Sequence, residues 1–252
     1  MNQEELIQRE YYAATASRYD GMHVAAYDEH YVSLAYISAF LHQLGVRTVL
    51  DVGCGTGRVQ AYLAGTNPEV AVYGIEPVPR LLNLAVEKGI RRNCLVNGSG
   101  LDLPFRSNSF DAVIECGVLH HVREPERVVR EMIRVARKAI FLSDSNIFGQ
   151  GRTTVRLLKL ALYKVGLWKF VKLIQTVGKG YTISEGDGVA YSYSAYFQHN
   201  RFREWADRVF AVPVRQAGKS PRWWSPVLTA DTVLLCALRE SKRESLAVVT
   251  RQ

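Results

Sequence analysis

The chain has 252 residues, 48% hydrophobic and 22% charged, with a formal net charge of +8, a size and balance that suit one α/β domain with a sizeable core. No run reaches the roughly 18 apolar residues of a spanning helix, and the opening Met-Asn-Gln-Glu-Glu-Leu carries no apolar segment, which argues against a secretory signal. The four cysteines, Cys54, Cys94, Cys116 and Cys236, show no Cys-x-x-Cys spacing and read as reduced thiols of a cytoplasmic protein, soluble or peripheral to a membrane.

Along the chain, Tyr11-Tyr-Ala-Ala-Thr-Ala-Ser-Arg-Tyr-Asp20 reads as an amphipathic helix with aromatic residues. A helix is predicted over about 31–44, ending near Gly45, and a first strand over 48–52. A helix then runs to about residue 63, a second strand ends at Glu76, and a helix over 79–88 has Pro79 in its first turn. A weak third strand lies near 93–96, a fourth over 110–115, a helix over 124–135 and a fifth strand over 138–143. Two late β segments, 209–214 and 232–238, close the sequence. The alternation predicts βαβ units in a Rossmann-like, doubly wound, mostly parallel seven-stranded sheet with an antiparallel last strand. The expected divisions of this single domain are an N-terminal helical cap (1–45), a cofactor-binding core (46–145), a basic helical lid or insertion (146–205) and a final β pair (206–252).

The most informative stretch is Val46-Arg-Thr-Val-Leu-Asp-Val-Gly-Cys-Gly-Thr-Gly-Arg58, where an apolar strand delivers Asp51 into three glycines at alternate positions. Glycines there permit a tight turn and a close approach of main chain to ligand. Glu76 follows nineteen residues after Gly57, at the tip of Val70-Ala-Val-Tyr-Gly-Ile75, where a carboxylate can accept both hydroxyls of a ribose. A dinucleotide fingerprint, Gly-x-Gly-x-x-Gly counted from Gly53 and Gly55, would need glycine where Arg58 stands.

Asp51-x-Gly-x-Gly-x-Gly57 resembles the first motif of class I S-adenosylmethionine-dependent methyltransferases. The resemblance extends over about residues 10–145. Asn97-Gly-Ser-Gly-Leu-Asp-Leu-Pro-Phe105 and Ser109-Phe-Asp-Ala-Val-Ile-Glu-Cys-Gly-Val-Leu-His-His121 are similar to the adenine loop and fourth strand of the subgroup containing ubiquinone and menaquinone methyltransferases. Residues 11–20 are similar to the segment that closes over the cofactor there. The resemblance implies S-adenosyl-L-methionine as cofactor, with Asp51 and the glycine loop on its methionine part and Glu76 on its ribose. The implied contact set is Tyr19, Asp51, Gly53, Cys54, Gly55, Gly57, Glu76, Pro77, Ser99, Gly100, Leu101 and Glu115. Ser99 stands where the subgroup has an Asp for the adenine amino group, which leaves that contact to the Ser99 hydroxyl, Asp102 or backbone.

Methyl transfer asks the protein to align an acceptor and, where the acceptor carries a proton, to remove it. His120 and His121, directly after the fourth strand, are the candidate catalytic bases, since imidazole titrates near neutrality and this is the ligand edge of the sheet. Asp144, Tyr12 and the cluster Tyr191, Tyr193 and Tyr196 are candidate substrate contacts, and Trp223 and Trp224 a candidate rim. A metal site is not expected, because Asp144 has no neighbouring carboxylate set in sequence.

Residues 152–179 hold seven basic residues (Arg152, Arg156, Lys159, Lys164, Lys169, Lys172 and Lys179) and no acidic one, interleaved with apolar residues as a basic amphipathic helix pair broken near Gly166. A substrate lid, a lid that also touches a membrane or lipid-linked substrate, and a nucleic-acid surface are all open readings. The 178–188 stretch reads as a loop and 191–197 as a strand or aromatic wall. The expected function is methyl transfer to a small-molecule or lipid-linked acceptor at oxygen. The alternatives are a non-catalytic binding protein on the same fold and an RNA methyltransferase, although no Asn-Pro-Pro-Tyr or Pro-Cys signature for base methylation is present.

Overall fold

A computed structural model describes residues 2–24, 28–216 and 226–239; Trp223 and Trp224 lie outside the described residues. In chain order the helices are α1 (Gln3–Thr15), α2 (Tyr19–His23), α3 (Glu29–Gln43), α4 (Arg58–Thr66), α5 (Pro79–Glu87), α6 (Pro125–Val135), α7 (Thr153–Lys164), α8 (Trp168–Gln175) and α9 (His199–Trp205). The strands are β1 (Thr48–Val52), β2 (Ala71–Glu76), β3 (Leu95–Asn97), β4 (Phe110–Cys116), β5 (Ala136–Ser145), β6 (Tyr181–Ser184), β7 (Gly188–Tyr191), β8 (Arg208–Gln216) and β9 (Ala230–Leu238).

Seven strands form one sheet in the order β3-β2-β1-β4-β5-β9-β8, in which β9 runs antiparallel to both of its neighbours. The sheet is covered on both faces, so its central strands are apolar almost throughout: Phe110 to Glu115 of β4 are all buried. Leu34, Ile37 and Leu41 of α3 and Val59 and Leu63 of α4 pack on one face with Val49, Ile114 and Phe141. Val128, Val129 and Met132 of α6, with Phe202 of α9, pack on the other with Leu50, Val113 and Leu142. Crossovers of this kind bring the carboxyl ends of β1, β2, β4 and β5 to one edge, which is where Asp51, Glu76, His120 and Asp144 gather.

Local chemistry explains the element ends. Asp28 caps α3 by accepting from the amides of His30 and Tyr31 at 3.0 and 2.9 Å, so the helix starts at Glu29, two residues before the predicted boundary. Pro79 and Pro125 stand at the starts of α5 and α6, where no amide hydrogen is needed.

Two expectations are corrected downstream of β5. The 178–188 stretch is a two-stranded antiparallel hairpin of β6 and β7, because β-branched Thr182, Ile183 and Val189 flank a turn that Gly188 closes at φ +70°. Of the 191–197 cluster only Tyr191 is in a strand; an isolated bridge between Ser194 and Asn146 and a 3₁₀ turn over Ala195–Gln198 take the rest. The basic stretch does form two helices, α7 and α8, parted by Gly166 at φ +77°. Among the described residues no helix is long and apolar enough to cross a membrane, and all four cysteines are free thiols.

Candidate active site

The glycine loop after β1 folds back on β2: the amides of Gly53 and Cys54 donate to the Ile75 carbonyl at 2.8 and 3.1 Å. Gly53 sits at φ +78°, and a Cβ there would meet Val118 Cγ2 at 2.3 Å, so the site requires glycine on two counts. Gly55 faces the Tyr19 hydroxyl, 2.9 Å from where its Cβ would be. Like Gly55, Gly57 is set back from the cavities. Its missing Cβ points at Ile90 Cδ1, 1.9 Å away, so this glycine seats α4 against the segment after α5 and lines neither cavity.

Two cavities open along this edge. The smaller, about 130 Å³, is lined by Glu76, Pro77, Ser99, Gly100, Leu101 and Val118 among others. Glu76 is buried; its Oε2 accepts from Gly55 N at 3.1 Å and its Oε1 from Val78 N at 3.0 Å, and burial pushes its pKa up to about 7. Each oxygen keeps a second lone pair for a ribose hydroxyl. Ser99 Oγ accepts from Leu101 N at 3.3 Å, a bond that shapes the loop and leaves the hydroxyl hydrogen to be donated. Asp102 lines neither cavity.

The larger cavity, about 760 Å³, is lined by Asp51, Gly53, Cys54, Thr56, Arg58, His30, His120, His121, Asp144, Asp187 and Tyr191, with Lys159 and Lys172 across it. Asp51 is 2% exposed, its Oδ2 has no partner, and burial next to Glu76 pushes its pKa up to about 8. An orphaned buried carboxylate oxygen facing a cavity is what an aminoacyl ammonium would satisfy. Tyr12, Tyr19, Gly53, Cys116, Gly117 and His121 line both cavities, so the two meet at that point.

Glu115 stands apart from both cavities. It is fully buried, its Oε1 accepts from the amides of Val118 and Leu119, and it lines neither cavity; it shapes the 117–121 turn from beneath. Burial and the nearby Asp144 hold its pKa well up.

On that turn, His120 Nδ1 lies 2.6 Å from Asp144 Oδ1. Asp144 also accepts from the amides of Leu119 (2.8 Å) and Ser145 (2.5 Å). Burial opposes charge on both partners, but each stabilises the other: Asp144 is held below the usual carboxylate range, and Asp144 with Asp187 lifts His120 to about 10. Both carboxylates thus favour the charged form of His120. His121 Nδ1 lies 2.6 Å from the Val189 carbonyl, and its Nε2 lies 3.0 Å from the Tyr12 hydroxyl.

Asp187, in the β6–β7 turn, is a site residue that no motif in the sequence marks. Its Oδ2 is 3.5 Å from His120 Nε2 and its Oδ1 3.4 Å from His121 Nε2, and the two imidazoles hold its pKa down against burial. Gln8 of α1 clips the hairpin over the site: Val189 N donates to its Oε1, and its Nε2 donates to the Asp187 carbonyl at 3.1 Å. His30 also lines the larger cavity, and burial with the nearby Arg58 lowers it to about 4.

The candidate acceptor residues divide. Tyr12, Asp144 and Tyr191 line the larger cavity, and the Tyr191 hydroxyl has no partner. Tyr193 is 2% exposed within the core and Tyr196 packs against that core, both away from either cavity, because the chain leaves β7 and turns inward along β5. The lid is built from α7 and α8: Leu158, Leu162, Trp168 and Val171 face the cavity, and Lys159 Nζ donates to the carbonyls of Ile147 and Gln150 at 3.0 and 3.1 Å.

Residues 50–142 match the family model described as "Methyltransferase domain". An uncharacterized methyltransferase of Mycobacterium sp. (strain JLS) is 41% identical over 95 residues, covering 37% of this chain and 36% of that protein. A probable tRNA methyltransferase 9B of Mus musculus is 38% identical over 89 residues, covering 35% of this chain and 18% of that one. The chain thus spans little more than a third of the length of the first of these relatives. Among solved structures, magnesium protoporphyrin IX methyltransferase from Synechocystis PCC 6803 with bound SAH superposes with a TM-score of 0.59 at 17% identity, over 94% of this chain and 100% of that one, a likeness of fold. The family match and the likeness of fold fall on the same sheet edge, where Asp51 and Glu76 stand. The matched residues, 50–142, include Asp51, Gly53, Glu76, Ser99 and Leu101.

Proposed function

We propose that this protein is a cytoplasmic enzyme that methylates an oxygen of a small-molecule or lipid-linked acceptor, in the manner of the subgroup containing ubiquinone and menaquinone methyltransferases. Bound S-adenosylmethionine supplies an activated methyl group; the chain's residues orient the acceptor, exclude water and take up a proton. The observation that carries the reading is His121. It lines both cavities, and its Nδ1 faces a carbonyl, so Nε2 is its proton-accepting atom and faces the larger cavity beside Tyr12. His120, held from behind by Asp144 and facing Asp187, is a positioning residue at the cavity wall.

The lid supports the acceptor class. Its inner face is apolar with Lys172 at its edge, which suits an acceptor with a hydrophobic body and an anionic group. Its outer face exposes Leu167, Phe170, Ile174 and Val177 among lysines, which suits contact with an anionic membrane. Nucleic acid, named for the mouse relative, is less well served, because apolar side chains that stand 62% and 89% exposed at Phe170 and Val177 gain nothing from a phosphate backbone. The test is transfer of label from S-adenosylmethionine to a panel of phenols, sugars and lipid-linked hydroxy compounds by wild type and His121→Ala. Oxygen-linked label with wild type alone supports the reading. Label only on tRNA, or on no acceptor despite cofactor binding, sinks it.

A further inference from the structure

His120, His121 and Asp187 line the larger cavity, and one ligand-competent atom of each lies within 4.8 Å of the others. The tautomers follow from what stands behind each ring. His120 Nδ1 faces a carboxylate oxygen and His121 Nδ1 a carbonyl oxygen, each at 2.6 Å; the Gln8 amide nitrogen, the other neighbour of His121 Nδ1, stands farther off at 3.3 Å, so the shorter contacts favour hydrogen on both Nδ1 atoms. In the neutral rings both Nε2 atoms then present bare lone pairs, and what they face is a third acceptor, the Asp187 carboxylate. Only the Tyr12 hydroxyl offers His121 Nε2 a hydrogen. Three electron-rich groups converging in this way need a cation among them.

Geometry separates the two candidates. A proton on Nε2 would draw the carboxylate to about 2.7–2.9 Å, the usual length of a charge-assisted bond. The distances are 3.5 Å to Oδ2 and 3.4 Å to Oδ1, long for such a bond and close to the separation of neighbouring ligands that stand about 2.0–2.1 Å from a shared ion. Two imidazoles and one carboxylate, each imidazole anchored through Nδ1 by an acceptor behind it, also form the donor set and outer support of catalytic metal centres with an open position.

We propose that His120, His121 and Asp187 bind a divalent transition-metal ion, of the zinc, cobalt or manganese class, with Asp144 and the Val189 carbonyl fixing the two rings from behind. Two nitrogen ligands select such ions over magnesium or calcium. The inference rests on the methyl-transfer reading only for what the ion does in catalysis, and there the ion takes over the proton-accepting role given above to His121 Nε2. An ion there lowers the pKa of an acceptor hydroxyl, whose proton then leaves to water instead of to His121 Nε2. Asp187 reaches the site on a hairpin sixty-six residues beyond His121, so no sequence spacing announces the triad.

The experiment uses the full chain stripped with chelator, dialysed against Zn²⁺, Mn²⁺, Co²⁺ or Mg²⁺, with metal content measured by elemental analysis and the Co²⁺ form read by visible absorption. Binding of S-adenosylhomocysteine is measured by calorimetry on the same samples. We expect one Zn²⁺ or Co²⁺ per chain with a tetrahedral-type cobalt spectrum, loss of both in Asp187→Ala, and about 10–100-fold weaker metal affinity in Asp144→Asn. Asp187 is half-exposed in a turn, so its replacement leaves the fold in place, which S-adenosylhomocysteine binding by the variant verifies. Wild type that retains no more metal than Asp187→Ala, while still binding S-adenosylhomocysteine, overturns the metal site and leaves the methyl-transfer reading standing. Metal bound without any S-adenosylhomocysteine binding overturns the methyl-transfer reading and leaves the metal site standing.

Discussion

His120 and Asp144 form a buried pair whose 2.6 Å contact ties the turn after β4 to β5, the next strand of the sheet. Asp144 accepts the amides of Leu119 and Ser145 as well, so one carboxylate fixes both the backbone of the turn and the ring of its first histidine. Its own charge survives burial because of those partners. The pair orients a group that faces the cavity and does not itself need to touch the cofactor.

Replacing Asp144 by Asn keeps the shape and removes the charge. We expect turnover to fall by about 10²-fold or more. Affinity for S-adenosylhomocysteine should be little changed, since the cradle of Asp51 and Glu76 is left intact. Steady-state kinetics with the acceptor held at saturation, alongside calorimetry, separates the two. A mere loss of packing would lower Tm without altering the pH profile of kcat; a positioning role moves that profile.

Cofactor affinity should depend on pH through the cradle. Burial raises Asp51 to about 8 and Glu76 to about 7, against ordinary carboxylate values near about 4. Both are thus largely protonated in the cofactor-free fold at pH 6, and their contribution to stability is greatest at low pH and is lost as pH rises from about 4 through 7–8. A ligand ammonium favours the ionised form of Asp51. Binding of S-adenosylhomocysteine should therefore release protons at pH 6 and tighten as pH is raised to 7.5. Calorimetry in two buffers of different ionisation enthalpy counts those protons; a count of zero, with affinity independent of pH, would rule the mechanism out.

The sheet was legible in the sequence because it is written locally. Strand β1 fell where the apolar run predicted, and Asp51, Gly53 and Glu76 are close in sequence to the strand ends that aim them. What sequence did not disclose depends on contacts between distant segments. Gly57 shares its motif with two glycines of the loop, yet only the placement of Ile90 shows that it serves packing. Glu115 sits on a strand that ends at the site, but its carboxylate turns under the chain. Asp187 and Gln8 reach the histidines from a hairpin and from the first helix, and the polar clip between those two elements has no periodicity to read.

The assignment of Gly57 is separately testable. Gly57→Ala places a Cβ 1.9 Å from Ile90 Cδ1 and holds an L residue at φ +86°, so it should destabilise the fold by about 1–3 kcal/mol. Ile90→Ala in the same chain should return part of the loss, because it removes the clash and leaves the backbone strain. Denaturant unfolding of the two single variants and the double variant gives the coupling. Additive effects would place the cost in the backbone angle alone.

The outer face of the lid carries the final prediction. Phe170 and Ile174 stand one turn apart on α8 and Val177 lies just past its end, 62%, 63% and 89% exposed, with Lys169 and Lys179 exposed beside them. Such a face is unrewarded in water and suits the head-group boundary of an anionic bilayer, where apolar insertion and lysine attraction add. Phe170→Asp with Ile174→Asp should alter unfolding free energy by no more than about 0.5 kcal/mol per site, since neither side chain is packed. Sedimentation with phosphatidylserine-containing vesicles should be abolished by the pair and weakened by salt in wild type. If wild type does not sediment, or if the variant sediments equally well, the exposed stripe has another purpose and the lipid-linked class of acceptor loses its support. Turnover of a water-soluble acceptor is the internal control: these positions face away from the cavity lining, so it should be unchanged in the variant.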